Sequence, residues 1–319
     1  MRRRLTPIVL TGPPGSGRST ELRRAAHLLS SRSHGRVVHV NWFDDPAEIE
    51  PGPFLFKLAR YFFEEWGADV DRVHPNPALV EDMRASDPYL AQGSGRTLPP
   101  QIIAGIVFEA YAKAYKLDRF ALFLDGLDQA PPDRARMVLH KLLEVAHKVD
   151  LVVVVGPELT NGTASFEVLD KYRLFPLQSV RTDSGSDGLR WLRNIALHRV
   201  GESKLPSRKV GRLISTAAEL SGGLPRRFLA LLADAAKYSD RPDPGVRQLT
   251  PAADDQALSL RQSLVDGDRA VLNAADGTNG LEVPEDRKTR LLNQGMLLEY
   301  PDGKDVKVHP HPLLRRYLD

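Results

Sequence analysis

Along the first 180 residues, short apolar runs alternate with longer stretches of helical spacing. Ile8-Val9-Leu10 lies between Pro7 and Gly12 and reads as a buried strand. Ser19 to Leu29 follows with Leu22, Ala25, Ala26 and Leu29 on one side of a helix. Val37 to Trp42 reads as the next strand, and Pro53 to Trp66 as a strongly apolar helix carrying Phe54, Leu55, Leu58, Tyr61 and Phe62. Residues 70–100 are polar and hold Pro75, Pro77, Pro88, Pro99 and Pro100. That density of proline opposes a long helix or a central strand, so an irregular surface excursion is expected there. Gln101 to Tyr115 is helical again, Phe120 to Leu124 is a strand, Pro132 to Val149 a helix, Leu151 to Val155 an unbroken strand of Leu and Val, and Arg173 to Leu177 a last strand. Strands that alternate with helices predict a parallel sheet covered on both faces.

After Val180 the strand pattern stops. Asp187 to Val200, Pro206 to Leu220 and Leu224 to Lys237 read as three helices. Pro242, Pro244 and Pro251 place a linker over Asp240 to Ala252. The tail from Ala257 begins with helices. It then shows Met296 to Tyr300 and Val306 to His309 around Asp302-Gly303, a hairpin-type dipeptide. Helices, a hairpin and a short closing helix outline a winged-helix unit. The expected division is 1–180, 181–245 and 246–319.

Composition narrows the function classes. A chain of 319 residues holds two or three domains, and 42% hydrophobic with 27% charged residues excludes wholesale disorder. Without cysteine there is no disulfide scaffold, thiol nucleophile or thiolate zinc site. The net charge of +3 is unevenly spread: net 0 over residues 1–180, +5 over 181–245 and −2 over 246–319. No apolar run reaches the roughly 20 residues of a membrane span. Arg2-Arg3-Arg4 precedes too short an apolar stretch for a signal peptide. A soluble, cytoplasmic protein without a membrane partner is expected.

The decisive segment is Gly12-Pro13-Pro14-Gly15-Ser16-Gly17-Arg18-Ser19-Thr20. It has the spacing G-x-x-x-x-G-K-[ST], except that Arg18 stands in the lysine position. Glycines let successive backbone N–H groups point inward at phosphate oxygens, and the following helix offers its positive end. Ser19 would place its hydroxyl on Mg²⁺. Arg is a wide planar fork where Lys is a point charge, so binding should tolerate the exchange better than chemistry. Phe120 to Asp128 is an apolar strand that ends in Asp125-Gly126-Leu127-Asp128. Ligands collect at the carboxyl ends of parallel strands, so Asp125 is expected to face the phosphate loop and hold Mg²⁺, with Asp128 orienting water.

These features together resemble the AAA+ and STAND groups of P-loop NTPases, the latter including NACHT proteins. Asp125-Gly126-Leu127-Asp128 looks like the NACHT-type acidic motif. Gly222-Gly223-Leu224-Pro225-Arg226-Arg227 looks like the Gly-x-Pro segment of the helical lid. His311-Pro312-Leu313-Leu314-Arg315-Arg316-Tyr317-Leu318 looks like the end of a STAND winged helix. The resemblance implies an α/β parallel-sheet NTPase core, an α-helical lid and a C-terminal winged helix that bind ATP or ADP with Mg²⁺. It implies that Gly12, Gly15, Ser16, Gly17, Arg18, Ser19, Thr20, Pro225, Arg226 and His311 contact the nucleotide. Arg226, with Arg227 as its competitor, would sense the terminal phosphate, and His311 would touch the phosphates in a resting state.

Three departures point to slow hydrolysis: Arg18 in the lysine position, Gln129 where Glu is frequent, and Gly156-Pro157-Glu158 where a polar sensor usually ends the fourth strand. Losing one transition-state donor costs about 10²–10³ in rate. No fused effector or repeat sensor is expected, and with that a switch acting through a protein partner or a homo-oligomer, in signalling or defence. The alternatives are a winged-helix DNA-binding ATPase and a nucleotide-free scaffold. The acidic tail, where Lys288, Arg290, Arg315 and Arg316 are diluted, makes nucleic acid the less favoured partner.

Overall fold

A computed structural model describes residues 6–31, 36–41, 51, 53–66, 99–160, 166–200, 208–239, 244–276, 284–302 and 305–318. It has the expected α/β class. Two compact units are present, one of residues 1–11 and 19–175, the other of residues 12–18 and 176–319.

The first unit is built on a five-stranded sheet of β1 (Ile8–Thr11), β2 (Val37–Asn41), β3 (Ala121–Asp125), β4 (Asp150–Val154) and β5 (Arg173–Pro176). The strand order is β2-β3-β4-β1-β5, and the β1–β4, β3–β4 and β2–β3 pairs are parallel. Parallel strands need crossovers, which helices α1 (Arg18–Ser31), α2 (Phe54–Trp66), α3 (Pro100–Ala114) and α4 (Pro132–Val145), with the short α5 (Phe166–Leu169), supply. Trp42 and the proline-rich stretch up to residue 98 lie outside the described residues. Pro99 and Pro100, expected in the irregular excursion, instead start α3: Pro99 is its N-cap and Pro100 its first residue. Proline suits that position because its missing N–H would have no helical partner there.

Period-two alternation divides the sheet into two faces. Leu10, Val37, Ala121, Phe123, Val152 and Val154 pack with Leu22, Ala25 and Ala26 of α1. The opposite positions, among them Val9, Val38, Val40, Leu122, Leu124 and Val153, join the larger core with α2, α3 and α4. Within that core Phe62 lies against Phe108, Tyr111 and Phe120, with ring centroids 4.9, 5.1 and 5.3 Å away.

The second unit comprises α6 (Asp187–Val200), α7 (Arg208–Leu220), α8 (Pro225–Lys237), α9 (Val246–Arg261), α10 (Asp268–Asp276), α11 (Glu285–Asn293), the strands β6 (Leu297–Asp302) and β7 (Asp305–Pro310), and a closing 3₁₀ turn Pro312–Tyr317. β6 and β7 form the expected antiparallel hairpin; Gly303 of its turn, like Pro206 before α7, is outside the described residues. Helices and hairpin share one apolar core that includes Leu192, Phe228, Leu249, Leu272, Leu297 and Leu313. The linker expected up to Ala252 ends earlier, because α9 starts at Val246 and carries Pro251 inside it. A proline there forfeits one backbone hydrogen bond. Burial of Leu249, Ala252, Ala253 and Ala257 on the same helix offsets that cost.

Candidate functional site

Polar residues gather where the strands of the first unit end. Register pairs Asn41 with Asp125 and His39 with Phe123, so His39, Asn41 and Asp125 share one sheet face. Asp125 is buried, 4% exposed. The Ser19 hydroxyl donates to its Oδ1 at 2.9 Å. His39 Nε2 stands 3.9 Å from its Oδ2 and makes no hydrogen bond. Burial lowers the His39 pKa, the Asp125 charge opposes that, and Arg23 adds to it. Gly126 takes φ 95° and turns the chain into the 3₁₀ segment Leu127–Gln129. Asp128 there is half-buried, whereas Gln129 and Thr20 are exposed.

The end of β4 is less bare than its sequence implies. The expected sensor position has no polar side chain, yet Thr160 folds back so that its hydroxyl lies 3.3 Å from that of Thr11, at the end of β1. Thr160 also donates to the carbonyl of Pro157 at 3.0 Å. Sequence reasoning missed Thr160 and His39. A signal for His39 existed, since it interrupts the apolar run Val37-Val38-His39-Val40. Thr160 had none, because its return rests on the turn at Pro157–Leu159.

In the second unit, residues Gly12–Arg18 curl tightly. Gly12, Gly15 and Gly17 have φ of 151°, 87° and 96°, and the Ser16 amide donates to Pro13 O at 3.1 Å. A Cβ on Gly12 would lie 2.3 Å from Leu177 O and 2.9 Å from Ser16 Oγ, so glycine is required there. The buried Ser16 hydroxyl has no hydrogen-bond partner, and Arg18 is buried as well. The Arg226 amide, in the first turn of α8, donates to Gly15 O at 3.3 Å. Of the expected pair Pro225 and Arg226, Arg226 thus touches the glycine loop.

The same turn holds the tail. Tyr300 donates to Gly222 O at 2.9 Å. His311 is fully buried, and its Nδ1 accepts from the Leu313 amide at 3.2 Å. Burial and then the Arg227 charge push the His311 pKa down to about 3, against an opposing hydrogen bond with the Ser221 backbone. Arg227 is itself lowered by burial and by the Arg226 charge.

Below pH 6.5 the unfolded chain protonates at His311, while the folded chain stays neutral until about pH 3. The stability tied to the neutral imidazole is thus complete above 6.5 and is lost as pH falls towards 3. Between pH 7 and pH 5 the expected loss is about 2 kcal/mol. Urea unfolding of the protein and of His311→Asn, which keeps an acceptor for Leu313 but does not titrate, checks this. The variant should show a flatter dependence over that interval.

Among solved structures, the chain is similar to the ORC1 protein of Aeropyrum pernix in complex with DNA. Identity is 16% and the TM-score 0.46, over 99% of this chain and 87% of that one. No protein-family model and no curated protein matches. A likeness this low carries nothing about activity. Among the described residues, no helix is long and apolar enough to cross a membrane.

Proposed function

We propose that this chain binds ATP or ADP with Mg²⁺ at Gly12–Thr20 and works as a nucleotide-operated switch of the AAA+/STAND kind, with slow hydrolysis. The observation that carries this reading is the 2.9 Å bond from Ser19 to the buried Asp125. It joins the hydroxyl that follows the glycine loop to the acid that ends β3. The residues fit both groups. The unpartnered Ser16 hydroxyl and the close curl at Gly12 suit an anion. The Ser19–Asp125 pair offers the oxygen donors that Mg²⁺ prefers. When bound, the cation would neutralise phosphate charge.

In this reading the amides of Gly15 and Gly17 and the Ser16 hydroxyl hold phosphate oxygens, and Arg18 adds charge. Asp128 orients water. Arg226 reports on the terminal phosphate, because its own turn contacts Gly15. Residues 181–245 act as the lid and 246–319 as the winged helix. The half-buried Tyr300, bonded to Gly222, and the buried His311 link loop occupancy to the hairpin. Output passes through a protein partner or a homo-oligomer.

Calorimetric titration with ATP and ADP in Mg²⁺ tests the proposal; micromolar binding is expected. Gly12→Val should abolish it, since the added atoms collide with Leu177 O and Ser16 Oγ. Silence at millimolar nucleotide would remove the idea.

A further inference from the structure

The reading above leaves His39 without a task. It sits on β2, one strand away from the acid, and its Nε2 is sealed from solvent with no hydrogen bond. A buried polar atom left unpaired carries a desolvation cost, so such an atom calls for an explanation. Asp125 is gripped unevenly. Its Oδ1 accepts from Ser19, and its Oδ2 faces the imidazole at 3.9 Å, beyond hydrogen-bonding reach.

That separation resembles the edge of a coordination polyhedron. Two donors about 2.1 Å from one cation lie about 3.0 Å apart at a right angle, and about 3.4 Å at the tetrahedral angle. Reaching that range closes the 3.9 Å gap by about 0.5–0.9 Å. The His39 side chain is not fully enclosed, being 25% exposed. Arg23 is the opposing charge at this place. It is itself exposed on α1.

We propose that His39 gives a nitrogen donor to the cation held at Ser19 and Asp125, so that this site selects a first-row transition-metal ion such as Mn²⁺ over Mg²⁺. The inference rests on the nucleotide–cation reading and deepens it. The chemistry is that of donor preference. Mg²⁺ takes oxygen ligands and sheds water reluctantly, whereas imidazole nitrogen favours the first-row ions. Phosphate oxygens and water complete the shell in either case.

The test uses Mn²⁺ and ADP with the full chain. Pulsed electron paramagnetic resonance of the bound Mn²⁺ should show modulation from a directly coordinated nitrogen, and ¹⁵N-histidine labelling should change its frequency. In His39→Asn the modulation should vanish. Mn²⁺ affinity should then fall about 10- to 100-fold, while Mg²⁺ affinity, read by competition, changes less than about threefold. If that variant does not fold, the labelled wild-type spectrum decides alone. ADP-dependent Mn²⁺ binding without nitrogen modulation overturns the role of His39 and leaves the nucleotide reading intact. Absence of ADP binding in calorimetry overturns both.

Discussion

Asp268→Ala is expected to destabilise the second unit by about 3 kcal/mol, the lower end of the cost of breaking a buried ion pair. Asp268 opens α10 and is fully buried. Its Oδ1 pairs with the Arg290 guanidinium of α11, and its Oδ2 accepts from the Val265 amide at 2.8 Å. Truncation leaves the guanidinium without its carboxylate and the Val265 amide without its acceptor. Arg290 is 32% exposed, so water relieves part of the cost. Native-state hydrogen exchange of the buried α8 and α11 amides, across a urea series, measures the loss. Asp268→Asn should retain the bond to Val265 and fall between wild type and alanine. Combining Asp268→Leu with Arg290→Met should recover most of the stability, because an apolar pair has no charge left to desolvate. Wild-type exchange protection in Asp268→Ala would show that the pair contributes nothing.

Phe62→Ala should destabilise the first unit by about 3–5 kcal/mol. The side chain is fully buried and is the hub of the ring cluster with Phe108, Tyr111 and Phe120. Deleting it loses transfer free energy and opens a cavity between α2, α3 and the sheet. Rigid neighbouring rings can close that cavity only partly. Phe62→Leu keeps most of the volume and should cost less than half as much. Hydrogen exchange in β3 and β4 reports the effect, and protection in α8 serves as the internal control. An alanine variant within 1 kcal/mol of wild type, about the size of an ordinary surface change, would contradict the assigned packing.

Element by element, the correspondence between chain and fold has a physical pattern. β1, β3 and β4 were legible because each is a short run of apolar residues bounded by turn formers, and fully buried strands carry that signature. The glycine loop was legible because backbone curvature there depends on residue type and spacing alone. α9 was misread at Pro251, since local preference for a break lost to burial of one helix face. The excursion was misread at its end, where two prolines start α3.

The site divides in the same way. Amino-acid order by itself determined the glycine loop, the acid at the end of a strand and the Gly223-Leu224-Pro225 segment, because each is a contiguous stretch whose chemistry is local. Tertiary structure alone decided that His39 stands beside Asp125, that Thr160 returns to Thr11, that the Arg226 turn touches Gly15, and that His311 is sealed and uncharged. Each of these depends on strand register, on a turn or on desolvation. Such quantities arise only when segments distant along the chain exclude water together.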